Sequence, residues 1–174
     1  PLHHAVYSKQ ATVTVLLLAK GADIHAMDIF YRRPDHEAAT VGYANYLNTV
    51  KNVIDIISVF AGNEEKELSL HIAARCGHVE VLGLLLDLEC DIDAQTIHGN
   101  TALLLAARGS VDCVLFLLAR GADPDIVCGG GFTSTALETS IEKRNSQITQ
   151  ILLHHGANVN SVGSCGYSPL YLAI

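Results

Sequence analysis

The sequence predicts an all-α solenoid, a linear stack of helix pairs joined by hairpin fingers. Three observations predict it. A leucine near the start of a short helix recurs at Leu70, Leu103, Leu137 and Leu170, at spacings of 33, 34 and 33 residues, and Leu2 lies two periods ahead of Leu70. Downstream of these positions run the triplets Leu16-Leu17-Leu18, Leu84-Leu85-Leu86, Phe116-Leu117-Leu118 and Ile151-Leu152-Leu153. Three triplets are followed by Gly-Ala and then Asp or Asn, at Gly21, Gly121 and Gly156. One such unit cannot bury its own apolar face, whereas stacked units can, so a period of about 33 residues reads as a repeat array.

The elements follow in order within each unit. Thr or Ser caps the first helix, and Pro suits its first turn because the missing N–H would have no partner there; Ser168-Pro169 shows both. Small pairs such as Ala73-Ala74 and Ala106-Ala107 let neighbouring helices approach closely. Gly77 ends one such helix in the left-handed conformation. The second helix carries the Leu triplet, and Gly21, Gly121 and Gly156 stop it in the same way. An extended Ala-Asp-Ile or Ala-Asn-Val segment then turns back near Gly99 or Gly166 towards the next cap.

This layout resembles the ankyrin repeat, whose signature is T-P-L-H-x-A, and the resemblance covers nearly all of the chain. The implied units are 1–33, 34–67, 68–100, 101–134 and 135–167, with 168–174 opening a sixth, so the array is expected to be a segment truncated at both ends. The 34–67 unit departs from the pattern. It keeps Pro34, His36, Ala38, Ala39 and Gly42 but has Asp35 at the core leucine position and no clear Leu triplet. Asn45 to Phe60 is expected to form one longer amphipathic helix, ending in a polar loop from Gly62 to Glu67. A weak joint there would make this the place where the stack opens first. The 135–167 unit has Glu138 where His3, His36 and His71 stand in other units, and the resemblance makes that histidine a structural hydrogen-bonding group.

Composition narrows the function classes. Of 174 residues, 49% are apolar and 17% charged, which is too apolar for intrinsic disorder. The net charge of −7 argues against a nucleic-acid or anionic-membrane surface, and no apolar run reaches the ~18 residues that would span a bilayer. Five cysteines, an odd number at wide spacings without C-x-x-C, read as reduced thiols in an intracellular protein, cytoplasmic or nuclear.

Catalytic and metal chemistry find no pattern. His3-His4 and His154-His155 are adjacent pairs that point about 100° apart on a helix, and structural zinc needs four ligands in short paired spacings. His154-His155 instead suits a helix C-terminus. Gly129-Gly130-Gly131 lacks the Lys-Ser or Lys-Thr of a phosphate loop and reads as a longer finger. Cys76 beside His78 is the nearest thing to a thiol dyad, but its helix-end position suggests a surface thiol. No catalytic residue, metal or cofactor is therefore expected, and the chain is read as non-enzymatic.

Binding is the remaining class, and the resemblance implies a protein partner on a concave surface made of finger tips and first-helix ends. The repeat phase projects Ile29, Phe30 and Arg32 from the first finger, Ile97, His98 and Asn100 from the next regular one, Phe132 from the glycine-rich one and Tyr167 from the last. Arg75 and Arg108 stand at helix ends. Aromatic and Arg side chains most often dominate interface energetics, which singles out the run Ile29 to Arg33. Phe30 and Tyr31 could alternatively serve as apolar cover for the degenerate unit. The expected function is that of a scaffold or adaptor module, monomeric within a longer chain; the alternative is a substrate-targeting or sensing arm of a larger multidomain enzyme or signalling protein.

Overall fold

The computed structural model describes residues 1–51, 62, 67–129, 134–161 and 167–173. They fall into two compact units, 1–90 and 91–174. In the first, three helix pairs follow one another: α1 (Leu2–Tyr7) with α2 (Ala11–Ala19), α3 (Pro34–Val41) with α4 (Ala44–Val50), and α5 (Ser69–Cys76) with α6 (Val79–Leu86). First helices pack on first helices, α1 on α3 and α3 on α5, while α2 packs on α4 and α4 on α6. In the second unit α7 (Ala102–Ala106) pairs with α8 (Val111–Ala119) and α9 (Ala136–Glu142) with α10 (Ser146–His154), and the short α11 (Pro169–Leu172) packs on α9. The all-α fold matches the periodicity reading.

The core explains the sequence pattern. Ala38, Ala39, Ala73 and Ala74 are buried on the first helices of one unit, and Ala106 and Ala107 in the other. Any larger residue there would push neighbouring helices apart. Leu70, Leu82, Leu85, Leu117, Leu137 and Leu152 fill the space between layers. Complete burial of each contributes about 1.5–3 kcal/mol.

Helix ends are fixed by the anticipated residues. Thr101 Oγ1 accepts from Leu104 N at 3.2 Å, and Thr135 Oγ1 from Glu138 N at 3.3 Å. Gly21, Gly77, Gly121 and Gly156 are all left-handed, with φ between 81° and 89°. Gly42 adopts the same conformation at the end of α3.

One expectation changes, and another falls partly outside the described residues. The fingers were expected as β-hairpins, yet no strand occurs among the described residues. Each turn closes through few bonds, Asp28 N–H to Arg32 C=O at 2.9 Å in one and Thr96 N–H to Asn100 C=O at 3.1 Å in another. That is too little pairing to make a ladder. The long helix expected from Asn45 to Phe60 is described only as α4, ending at Val50; its continuation over 52–60 lies outside the described residues. Residues 63–66 of the polar loop, and the projecting Val162, Ser164 and Cys165, lie outside them as well.

The degenerate unit buries Tyr46, Leu47 and Val50 and adds polar contacts to this apolar core. Asp35, at the core leucine position, is buried, as are Arg33, His36 and Glu37. Arg33 Nη2 donates to Asp35 Oδ2 at 3.1 Å, and Ser69 Oγ donates to the same oxygen at 2.7 Å, tying α3 to α5. A buried carboxylate needs such partners, because desolvation would otherwise neutralise it. Burial, with the nearby Asp35 carboxylate, also pushes the phenol of buried Tyr46 well above its ordinary value.

Candidate partner-binding surface

The histidine position is structural, as the resemblance implied. His36 Nδ1 accepts from Arg33 N–H and His71 Nδ1 from Leu68 N–H, each at 3.0 Å, so each ring caps its own helix. His3 Nε2 bonds the carbonyl of Arg32 at 2.9 Å, 29 residues further on. His36 Nε2 is buried without a partner among the described residues, and the position 29 residues on, 65, lies outside them. Burial lowers the pKa of His36, with Arg33 and Arg32 adding to the effect and Asp35 and Glu67 opposing it. Glu138 does the same work with a carboxylate: Oε2 accepts from Thr135 N–H at 3.2 Å and Oε1 from Ser161 Oγ at 2.9 Å.

The first finger presents an apolar tip braced by hydrogen bonds. Ile29 is 85% exposed and Phe30 56%, with Met27 and Tyr31 also exposed. Their exposure argues against Phe30 and Tyr31 serving as cover for the degenerate unit. Asp28 organises the turn: its Oδ1 accepts from the N–H groups of Phe30 and Arg32, both at 2.8 Å. Its Oδ2 accepts from Arg32 Nε at 3.0 Å and Nη2 at 2.8 Å. Burial alone would raise the Asp28 carboxyl, but these backbone and guanidinium donors outweigh it and hold it below the usual range. Tyr31 takes a left-handed φ of 56° at the apex. Arg32 Nη2 also reaches Glu37 Oε1 at 3.2 Å, and its guanidinium carbon lies 5.2 Å from the Phe30 ring centroid.

Arg32 therefore sits beside Ile29 and Phe30 as the sequence placed it, but its side chain is engaged within the finger. Sequence reasoning missed Asp28. The available signal was an Asp two residues before Phe30, the position from which a carboxylate caps a turn. It also read Asp35 only as a lost leucine, whereas Arg33 two residues earlier supplies the partner.

Arg75, at the end of α5, forms a two-pronged pair with Glu67, at 3.2 and 3.3 Å. In the second unit, Ile97 and His98 are exposed and Asn100 is half-buried on one finger. This finger abuts the glycine-rich one, where Gly129 N–H donates to His98 C=O at 3.1 Å. A Cβ on Gly99 would collide with the backbone nitrogen of Gly129, so only glycine permits the approach. Asp93 Oδ1 accepts from Asp123 N–H at 3.1 Å and Asp125 Oδ1 from Asn158 N–H at 2.7 Å, bracing successive finger bases. Arg108 is exposed at the end of α7. Tyr167 stacks on Tyr171 at 4.3 Å, and Phe132 lies outside the described residues.

Cys76 is exposed as expected, and Cys90, Cys113 and Cys128 are buried. His155 Nδ1 bonds the Ile151 carbonyl at 2.8 Å at the end of α10, the C-terminal role expected for the pair. Among the described residues no group of His, Cys, Asp and Glu could hold a metal, and no helix is long and apolar enough to cross a membrane.

Stacked helix pairs with projecting, individually braced turns define a repeat-type interaction domain. The chain belongs to the ankyrin-repeat family: a family model described as ankyrin repeats (3 copies) matches residues 35–128, a second, ankyrin repeats (many copies), matches 117–173, and a single ankyrin repeat matches 1–29. Domains of this family are generally protein–protein interaction modules. The chain is 38% identical over 104 residues to ankyrin repeat and SOCS box protein 11 of Danio rerio, covering 59% of this chain and 34% of that protein. It is 28% identical over 189 residues to the B-cell lymphoma 3 protein homolog of Mus musculus, covering 99% and 40% respectively. To the nuclear factor NF-kappa-B p105 subunit of Gallus gallus it is 30% identical over 163 residues, covering 72% and 17%. The chain thus spans well under half of each of these relatives.

Proposed function

We propose that this chain is a non-catalytic adaptor module of an intracellular protein, and that it captures a partner protein through its finger tips. The observation that carries the reading is the first finger. Ile29 and Phe30 are exposed on a turn that hydrogen bonds between Asp28 and Arg32 brace. A pre-organised apolar tip loses little conformational entropy on binding, so more of its burial appears as affinity. Phe30 is the anchor in this reading. Arg32 holds the tip and contributes its guanidinium face, while Ile97, His98, Asn100, Arg75, Arg108, Phe132 and Tyr167 are further contact positions on their own elements.

A second reading rests on coverage. Because the chain spans 34% of a relative whose name joins ankyrin repeats to a SOCS box, it would serve as the targeting arm of a longer multidomain protein. Both readings use the same surface. The test compares the unaltered chain with Phe30→Ala and Ile29→Asp in affinity capture, and then titrates the purified partner calorimetrically. Loss of a hot-spot aromatic costs about 2 kcal/mol or more, so the dissociation constant should rise roughly 30-fold. Unchanged affinity with unchanged helical content removes this finger from the interface.

A further inference from the structure

The turn between α9 and α10 places two cations just ahead of a spare hydroxyl. It reads Lys143-Arg144-Asn145-Ser146, and Lys143, Arg144 and Ser146 are all exposed. Residues 143–145 lie outside both helices, since α9 ends at Glu142 and α10 begins at Ser146. Among the described residues neither cation forms an ion pair. The Ser146 hydroxyl makes no hydrogen bond among them either, because its neighbour does the capping: Asn145 Oδ1 accepts from Ile148 N–H at 3.1 Å. A serine that neither caps a helix nor is buried contributes no side-chain bond to the fold, so modifying it breaks none.

Other hydroxyls lack this combination. Of the exposed serines and threonines described, Ser8, Thr12, Thr49 and Ser146, only Ser146 has basic residues both two and three positions ahead of it. The equivalent turn of the preceding pair, Arg108-Gly109-Ser110, supplies one cation. There Ser110 is half-buried, and its Oγ accepts from Cys113 N–H at 3.4 Å as the cap of α8. Asp112 follows in the first turn of α8, whereas the first turn of α10 holds no acid. A phosphate on Ser110 would therefore lose a cap and meet a carboxylate, and one on Ser146 would do neither.

We propose that Ser146 is a phosphorylation site for a protein kinase whose substrate groove carries carboxylates facing the residues two and three ahead of the target serine. Kinases discriminate among substrates by such charge patterns, and Lys143 and Arg144 supply the complement. The kinase engages the segment as the turn opens transiently, releasing Arg144 N–H from Ile141 C=O (2.8 Å) and Asn145 N–H from Ser140 C=O (2.9 Å). Ser146 Oγ then attacks the γ-phosphorus of magnesium-bound ATP. The Oγ–P bond forms, the bond from that phosphorus to the β–γ bridging oxygen breaks, ADP departs, and the hydroxyl proton passes to the kinase's catalytic carboxylate. The product carries about −1.5 to −2 charges at pH 7, which nearly cancels Lys143 and Arg144 once the turn re-forms. The modification thus switches the charge of an exposed turn while leaving the core intact.

The experiment incubates the folded chain with magnesium-ATP and a purified kinase selective for basic residues two and three positions ahead of serine. A kinase selective for acidic flanks runs in parallel. Tandem mass spectrometry locates the phosphate, and radiolabel transfer gives the initial rate. Phosphate is expected at Ser146 with the first kinase and not with the second. A charge-assisted contact is worth roughly tenfold or more, so Lys143→Gln and Arg144→Gln should each lower the rate by at least that factor. Both positions are exposed, and circular dichroism checks that helical content holds. Ser146→Ala should abolish transfer to that peptide. Transfer to Ser110 instead, no transfer to the folded chain, or an unchanged rate in both glutamine variants each overturns the proposal.

Discussion

Replacing Asp35 by Leu restores the residue type that the repeat pattern demands, yet it should destabilise the protein. Asp35 Oδ2 receives Arg33 Nη2 at 3.1 Å and Ser69 Oγ at 2.7 Å, and all three residues are buried. Removing the carboxylate leaves the guanidinium in a low-dielectric site without its 3.1 Å partner. Breaking one side of a buried ion pair costs about 3–5 kcal/mol. At roughly 2–4 °C per kcal/mol for a domain of this size, the melting temperature should fall by about 10 °C. The double variant Arg33→Thr with Asp35→Leu removes both charges and rebuilds the Thr-Pro-Leu-His pattern. Replacing both partners by well-packed residues is neutral or stabilising by about 1–4 kcal/mol, so the double variant should recover most or all of the loss. Urea unfolding followed by circular dichroism at 222 nm, run as a double-mutant cycle, gives the coupling directly. A neutral Asp35→Leu, or a double variant as unstable as the single one, would refute the claim that the buried Arg33–Asp35 pair stabilises the start of α3.

Two further outcomes follow from the geometry. Because burial depresses the pKa of His36, its ring favours the folded state fully above the ordinary histidine value near 6.5, and that contribution is lost as the pH falls through the depressed folded value. Protonation would also remove the lone pair that accepts Arg33 N–H. Stability should therefore decline from pH 7 towards pH 5, and His36→Asn should flatten that slope in urea titrations at fixed ionic strength; an unchanged slope would mean other groups carry it. Gly99→Ala should cost about 1–3 kcal/mol, because φ is +74° and the new Cβ meets the Gly129 backbone. Amide exchange at Gly129 should then accelerate as its bond to His98 opens, and unaltered protection at Gly129 would show that the fingers do not depend on this approach.

How much was legible in the sequence differed from residue to residue. The period of 33–34, the Thr caps at 101 and 135 and the glycine stops at 21, 77, 121 and 156 are local rules, since each is set by the conformation of one turn. They could be read directly and recur in the structure. Glu138 was visible only as a departure from histidine, because its equivalence depends on a carboxylate reaching both Thr135 N–H and a Ser161 hydroxyl 23 residues away.

The candidate contact surface was legible as positions but not as states. The repeat phase placed Ile29 and Phe30 on an exposed finger, since phase alone decides which residues project. It could not say that Arg32 would turn back to Asp28 and Glu37, because a long flexible side chain chooses its partner by what three-dimensional packing brings within reach. The same limit applies to Asp35. A sequence shows a charge at a core position as a defect, and only tertiary structure shows whether a guanidinium and a hydroxyl converge to stabilise it. Sequence by itself determined the repeat, the helices and their stops, because these depend on neighbours along the chain. Tertiary structure decided which polar groups pair inside the stack, because that depends on neighbours across space.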